Sequence, residues 1–124
     1  MKIKIEDQHR SGCPIASTLD VVGDKWSMVI LRDLLTGKRK FGEFLRSPER
    51  ITTNVLTDRL TRMEANGLIE RRAYSERPPR FEYLLTDKGA GLLPALQEIS
   101  RWANRHIPGT WQPPEMFMRM KVRS

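Results

Sequence analysis

The 124-residue chain holds a single cysteine, Cys13, and two histidines, His9 and His106. A lone cysteine excludes an internal disulfide framework and fits a reducing compartment. So few thiol and imidazole groups give no metal-site spacing and no set of nucleophile, base and orienting group, so no metal, no cofactor and no enzymatic reaction are expected. A glycine-rich phosphate loop is missing as well: Gly89 and Gly91 follow a strand-like run without the dinucleotide pattern. No apolar run approaches the roughly 18 residues that a membrane span needs. The opening "MKIKIEDQHRSG" lacks an apolar segment of the kind a leader carries. The expectation is a cytoplasmic protein without membrane association.

Acidic side chains are also short, with 15 Asp and Glu against 22 Lys and Arg, for a net charge of +7. Such a balance favours phosphate backbones or anionic surfaces as partners. The excess is localised. Residues 1–37 carry five basic and five acidic groups, residues 38–80 carry eleven and six, and residues 81–124 carry six and four. The middle third therefore holds +5 of the +7. At 39% apolar and 30% charged, the composition is that of one globular domain.

Local signals give the order of elements. Cys13-Pro14 reads as a helix start, with proline at the first helical position, and Gly23 closes that helix. "DKWSMVILRDLLTG" opens on Asp24 as candidate N-cap, carries an apolar face of Trp26, Val29, Ile30, Leu34 and Leu35, and ends at Gly37. "FGEFLRS" reads as a short helix burying Phe41, Phe44 and Leu45, set off by Pro48. Thr52 or Thr53 then caps a helix whose buried stripe is Leu56, Leu60 and Met63, at i, i+4 and i+7. Asn66-Gly67 stops it. "LIERRAY" and "FEYLL" alternate as strands around the turn "SERPPR". Thr86-Asp87 caps a last long helix running to about His106.

A short helix followed by a capped helix is helix-turn-helix grammar, and a basic hairpin directly behind it makes a winged variant. The fold class is mainly α with a β-hairpin wing (α+β). The outward face of the capped helix bears Asn54, Asp58 and Thr61, flanked by Thr57 and Arg62. Short hydrogen-bonding groups of this kind suit base edges and water in a major groove, with Thr52 and Thr53 near phosphate at the helix start. Asp58 can accept from a cytosine amino group or hold Arg62. Arg59 points sideways, as a phosphate contact or an internal brace. Arg77 and Arg80, on a loop stiffened by Pro78 and Pro79, suit a minor groove or phosphate. Lys38, Arg39 and Lys40 suit backbone phosphates. Double-stranded DNA is the expected partner.

"CPIASTLDVVGDKWSMVILRDLLTGKRKFGEFLRS", "ITTNVLTDRLTRMEANGLIERR" and "PPRFEYLLTDKGAGLLPALQEISRWA" together resemble the HxlR-type branch of the MarR-like winged-helix transcription regulators, over residues 12–106. The resemblance implies a bacterial, homodimeric DNA-binding regulator that pairs through its first and last helices, here Pro14 to Val22 and Asp87 to His106. The sequence departs from the family pattern at Asn54, where a basic residue is usual. Residues 1–11 form an N-terminal arm and residues 107–124 a C-terminal tail outside the resemblance.

Cys13 stands at an N-cap, where amide groups and the helix dipole favour a thiolate, with Arg10 near in sequence. The resemblance implies a sensor of oxidants or electrophiles at such a cysteine. The competing reading is a small residue at a dimer interface without chemistry. Trp26 and Trp102 read as core or interface packing. Trp111 and "MFMRM" read as an apolar surface for a second subunit or as a frayed tail. Two other functions suit the same scaffold: a regulator gated by a small effector of unknown identity at the dimer interface, and a winged-helix module that holds a protein partner.

Overall fold

The computed structural model describes residues 10–122, so most of the expected N-terminal arm and the last two residues of the tail lie outside the described residues. Helix α1, Pro14–Val22, begins on Pro14, whose missing amide is no loss in a first turn, and Gly23 ends it by donating to the Leu19 carbonyl at 2.8 Å. Helix α2, Ser27–Leu35, starts three residues after Asp24, later than the N-cap expectation for Asp24. The carboxylate still serves the helix start. Its Oδ2 accepts from the amides of Trp26 and Ser27, each at 3.0 Å, so it caps from two residues before the cap position, which Trp26 occupies.

Helix α3 spans Phe41–Leu45, and Glu43 in its first turn accepts from the amides of Arg39 at 2.9 Å and Lys40 at 2.8 Å. Helix α4 spans Thr53–Ala65 with Thr52 as its N-cap, the Thr52 hydroxyl accepting from the Val55 amide at 3.4 Å. Leu56, Leu60 and Met63 of α4 are buried as the spacing predicts. They join Ile30, Leu31 and Leu34 of α2, Phe44 of α3, and Leu68, Ile69, Leu93 and Leu96 in one core.

Gly67, at φ 75°, turns the chain from α4 into the hairpin. Strand β1, Ile69–Glu76, pairs antiparallel with β2, Pro79–Leu85, from Ile69 opposite Leu85 to Glu76 opposite Pro79, with an irregularity between Ala73 and Ser75. The wing strands are thus longer than expected. Ser75 and Glu76 belong to β1 and Pro79 and Arg80 to β2, leaving a turn of Arg77 and a cis-linked Pro78. Pro79 is tolerated because a strand's first residue need not donate to a ladder. The segment before α3 joins the sheet: Lys40 bridges Glu82, and the Tyr83 amide donates to the Arg39 carbonyl at 2.8 Å.

The expected last helix is two. Helix α5, Asp87–Ala90, is capped by Thr86, whose hydroxyl accepts from the Gly89 amide at 3.1 Å. Helix α6, Leu93–His106, follows after a break at Gly91 and Leu92, with Pro94 in its first turn. Gly89 explains the short first piece. A Cβ there would lie 2.1 Å from the Leu68 carbonyl oxygen, so only glycine lets this turn close on the chain entering β1. Proline inside one continuous helix would break it, whereas in a first turn it is accepted. The tail folds back on its own chain. Helix α7, Glu115–Arg119, buries Phe117, and the buried Gln97 amide of α6 donates to the carbonyls of Phe117 at 3.0 Å and Met120 at 2.9 Å.

Candidate nucleic-acid interface

Helix α4 presents Thr53, Asn54, Thr57, Asp58, Thr61 and Arg62 on its exposed face, opposite the Leu56–Leu60–Met63 stripe. Thr57 donates to the Thr53 carbonyl at 2.9 Å and Thr61 to the Thr57 carbonyl at 2.8 Å. Their hydroxyl protons point back along the helix, so their outward-facing oxygens serve as acceptors. Asp58 is tied to Arg59 and lies 3.4 Å from the Arg62 guanidinium, which neutralises this carboxylate.

Arg59 takes the internal-brace role. Its Nε donates to Asp24 at 2.9 Å and its Nη1 donates to Asp58, with the side chain only 21% exposed. Burial pushes the Asp24 carboxyl up, but hydrogen bonds from the Ser27 hydroxyl, the Trp26 amide, Arg59 and the Ser27 amide outweigh it and hold its pKa at about 2. The capping group of α2 is therefore the anchor of α4.

The run Lys38-Arg39-Lys40 does not act as one exposed patch. Lys38 Nζ donates to Ser47 Oγ at 2.5 Å and lies 3.7 Å from the buried Asp33 carboxylate. Arg39 Nη1 donates to the carbonyls of Leu34 and Lys38, each at 2.9 Å. Lys40 is exposed and sits 4.5 Å from the centre of the Tyr74 ring on β1. Of the three, Lys40 is the one presented outward beside the wing. Arg77 and Arg80 are exposed at the wing tip, where Ser75 Oγ donates to the Pro78 carbonyl at 3.0 Å.

Two basic residues on the wing escaped the reading of the sequence. Arg71 and Arg72 of β1 are exposed, Arg71 stacked 4.3 Å over the Phe81 ring and Arg72 bonded to Glu82 at 2.7 Å. The alternation of β1 was the available signal, since it sends these side chains to solvent on a two-stranded ribbon.

Cys13 is exposed at the N-cap of α1. Hydrogen bonding by the amides of Ala16 and Ile15 holds its thiol below the ordinary range. Arg10 does not assist it: its Nε donates to Asp20 at 2.8 Å. Ile15 and Leu19 of α1 and Ile99 and Trp102 of α6 are exposed apolar residues. Among the described residues no group of three or more metal-binding side chains occurs, and no helix is long and apolar enough to cross a membrane.

Helices, capped helix and hairpin in this order define a winged helix-turn-helix of the transcription-regulator class. The HxlR-like helix-turn-helix family matches residues 21–110. The chain belongs to that family, whose members are transcriptional regulators and not enzymes. The uncharacterized HTH-type transcriptional regulator YybR of Bacillus subtilis is 38% identical over 101 residues, covering 80% of this chain and 81% of its own. The redox regulator HypR in its oxidized form is 37% identical with a TM-score of 0.69, over 76% of this chain and 97% of HypR. The reduced form of the transcriptional regulator YodB from B. subtilis is 29% identical with a TM-score of 0.66, over 82% of this chain and all of YodB at 100%.

Proposed function

We propose that the protein binds a pseudo-palindromic DNA operator as a homodimer, each subunit laying α4 in a major groove with its wing alongside. The observation that carries this reading is the exposed face of α4. It offers hydroxyl, amide and guanidinium groups where an ordinary surface helix carries many Glu and Lys, and a basic wing tip flanks it. Asn54, Thr57, Asp58, Thr61 and Arg62 meet base edges, Thr52 and Thr53 lie at phosphate, and Lys40, Arg77 and Arg80 hold the backbone. Lys38, Arg39 and Arg59 support the frame. The exposed apolar residues of α1 and α6 favour pairing of two copies through those helices, which sets half-sites about one helical turn apart.

Cys13 is the signal input in this reading. It is exposed, its thiolate is favoured at the helix start, and the fold is shared with the redox regulator HypR. With one cysteine per chain, oxidation yields a disulfide between two subunits or with a small thiol, the oxidant taking the two electrons. Fluorescence anisotropy on DNA from upstream of the gene, against a scrambled duplex, tests both parts. Reduced protein, diamide-treated protein and the Cys13→Ser variant are compared. Specific binding that diamide changes only when Cys13 is present supports the reading. Specific binding indifferent to diamide removes the thiol switch and leaves the regulator.

A further inference from the structure

Asp58 lies midway along the exposed face of α4, with its side chain 51% exposed. Its two oxygens are not equivalent. Arg59 donates Nη1 to Oδ2, and the Arg62 Nε lies 3.4 Å from the same oxygen. Among the described residues no group donates to Oδ1. Arg59 is itself fixed, because its Nε donates to Asp24 at 2.9 Å. A planar guanidinium held by one carboxylate holds a second in a set orientation. The chain of contacts from Asp24 through Arg59 therefore occupies one oxygen of Asp58 and leaves the other for a partner outside the protein.

The neighbours of Asp58 on this face present lone pairs as well. Thr57 and Thr61 direct their hydroxyl protons to the carbonyls of Thr53 and Thr57, at 2.9 and 2.8 Å. Bonded in this way, Thr57, Asp58 and Thr61 offer acceptors outward and no donor. Only two groups in a major groove donate, the amino groups of cytosine and adenine. The adenine amine stands between two acceptors, its own N7 and the O4 of the paired thymine, and both repel a carboxylate. The cytosine amine has an acceptor on one side alone, the O6 of the paired guanine. Guanine and thymine meet the carboxylate with acceptors or a methyl group, which strips its free oxygen of water and returns no hydrogen bond.

Resting on the reading of α4 as the helix laid in the major groove, we infer that Asp58 selects a cytosine at one fixed position of each half-site and rejects the other three bases, with Arg59 as the positioning residue that aims its carboxylate. The arginines on Oδ2 also lower the repulsion between this carboxylate and the phosphates. Asp58 therefore costs little affinity on the matching sequence and much on a mismatched one, which is specificity by exclusion.

The duplex that the reduced, full-length protein selects from a random-sequence pool is the probe. One cytosine of its half-site is expected to resist replacement, each other base weakening binding by about tenfold or more. Substituting 2-pyrimidinone, which is cytosine without its amino group, should give a loss of the same size. Asp58→Ala is expected to bind the four duplexes within about twofold of one another, and Asp58→Asn, which gains donors, to shift the preference towards adenine. Arg59→Met should narrow the preference at this one position by about threefold or more. Should that variant not fold, Arg59→Lys takes its place, since it keeps a donor for Asp24 but lacks the fork that reaches Asp58. A pool without an enriched motif overturns this inference together with the DNA-binding reading. A motif that the parent and Asp58→Ala share base for base, or full affinity for the 2-pyrimidinone duplex, overturns this inference and leaves the DNA-binding reading standing. An unchanged preference in the folded Arg59 variant overturns the positioning role.

Discussion

Arg59 of α4 donates its Nε to the carboxylate of Asp24 at 2.9 Å, across 35 positions of sequence, and the same carboxylate caps α2 through the amides of Trp26 and Ser27. One side chain therefore starts one helix and fixes the orientation of another. Asp24→Ala removes the cap and leaves Arg59 half-matched, and a loss of about 2–3 kcal/mol in urea unfolding is expected. Arg59→Met is expected to cost less, because Asp24 keeps its amide and Ser27 partners. A double-mutant cycle between the two positions should return a coupling of about 1 kcal/mol, and strict additivity would contradict the link.

The same carboxylate sets an acid limit. Its pKa is held at about 2 in the folded chain, against 3.8 as the ordinary value, so folding favours the deprotonated form. The stabilisation is complete above the ordinary value and drains away as pH falls through that window toward 2. Thermal melts across acid pH should show this decline, and Asp24→Asn should flatten its part of it while lowering stability at neutral pH.

Gly89 is a test of the turn between the wing and α6. Gly89→Ala places a Cβ on the Leu68 carbonyl, which is backbone and cannot move aside alone. A destabilisation of about 1–3 kcal/mol is expected. Gly42, whose added Cβ meets nothing within 4 Å, serves as the control: Gly42→Ala should be neutral or mildly stabilising by the helix preference for alanine. Equal melting temperatures for the two variants would contradict the packing described.

The proposed DNA contact divides the labour between α4 and the wing. Arg77→Ala should weaken specific and random duplexes alike and reduce the salt dependence by about one phosphate contact. Asn54→Ala and Thr57→Ala should instead narrow the gap between operator and random DNA, by about 1–3 kcal/mol for a lost base contact. Titrations at two salt concentrations distinguish these patterns, and equal losses for all three variants would refute the division.

Features with local causes were legible in the sequence. The α4 helix was readable because its cap, Thr52, and its stripe of Leu56, Leu60 and Met63 lie within one short segment. Where a distant partner decides, the sequence was silent. Lys38 and Arg39 read as part of an exposed basic run, yet Ser47, Asp33 and the Leu34 carbonyl draw them inward. The division of the last helix into α5 and α6 depends on how closely Gly89 approaches Leu68. The tail's seat depends on Gln97, a polar residue on a helix whose burial nothing local announces. Arg59 reads from its own segment as a phosphate contact or a brace alike, because its partner Asp24 lies 35 positions away. The identity of the exposed face of α4 needed no such information, since periodicity alone assigns it.

The most direct test of the central claim is selection of bound duplexes from a random-sequence pool by the reduced protein, followed by sequencing. The account predicts an enriched inverted repeat whose half-site centres lie about 10 base pairs apart, lost when Asn54 and Thr57 are both replaced by alanine. A bound pool without an enriched motif, or a motif without two-fold symmetry, would contradict a dimer that reads DNA through α4.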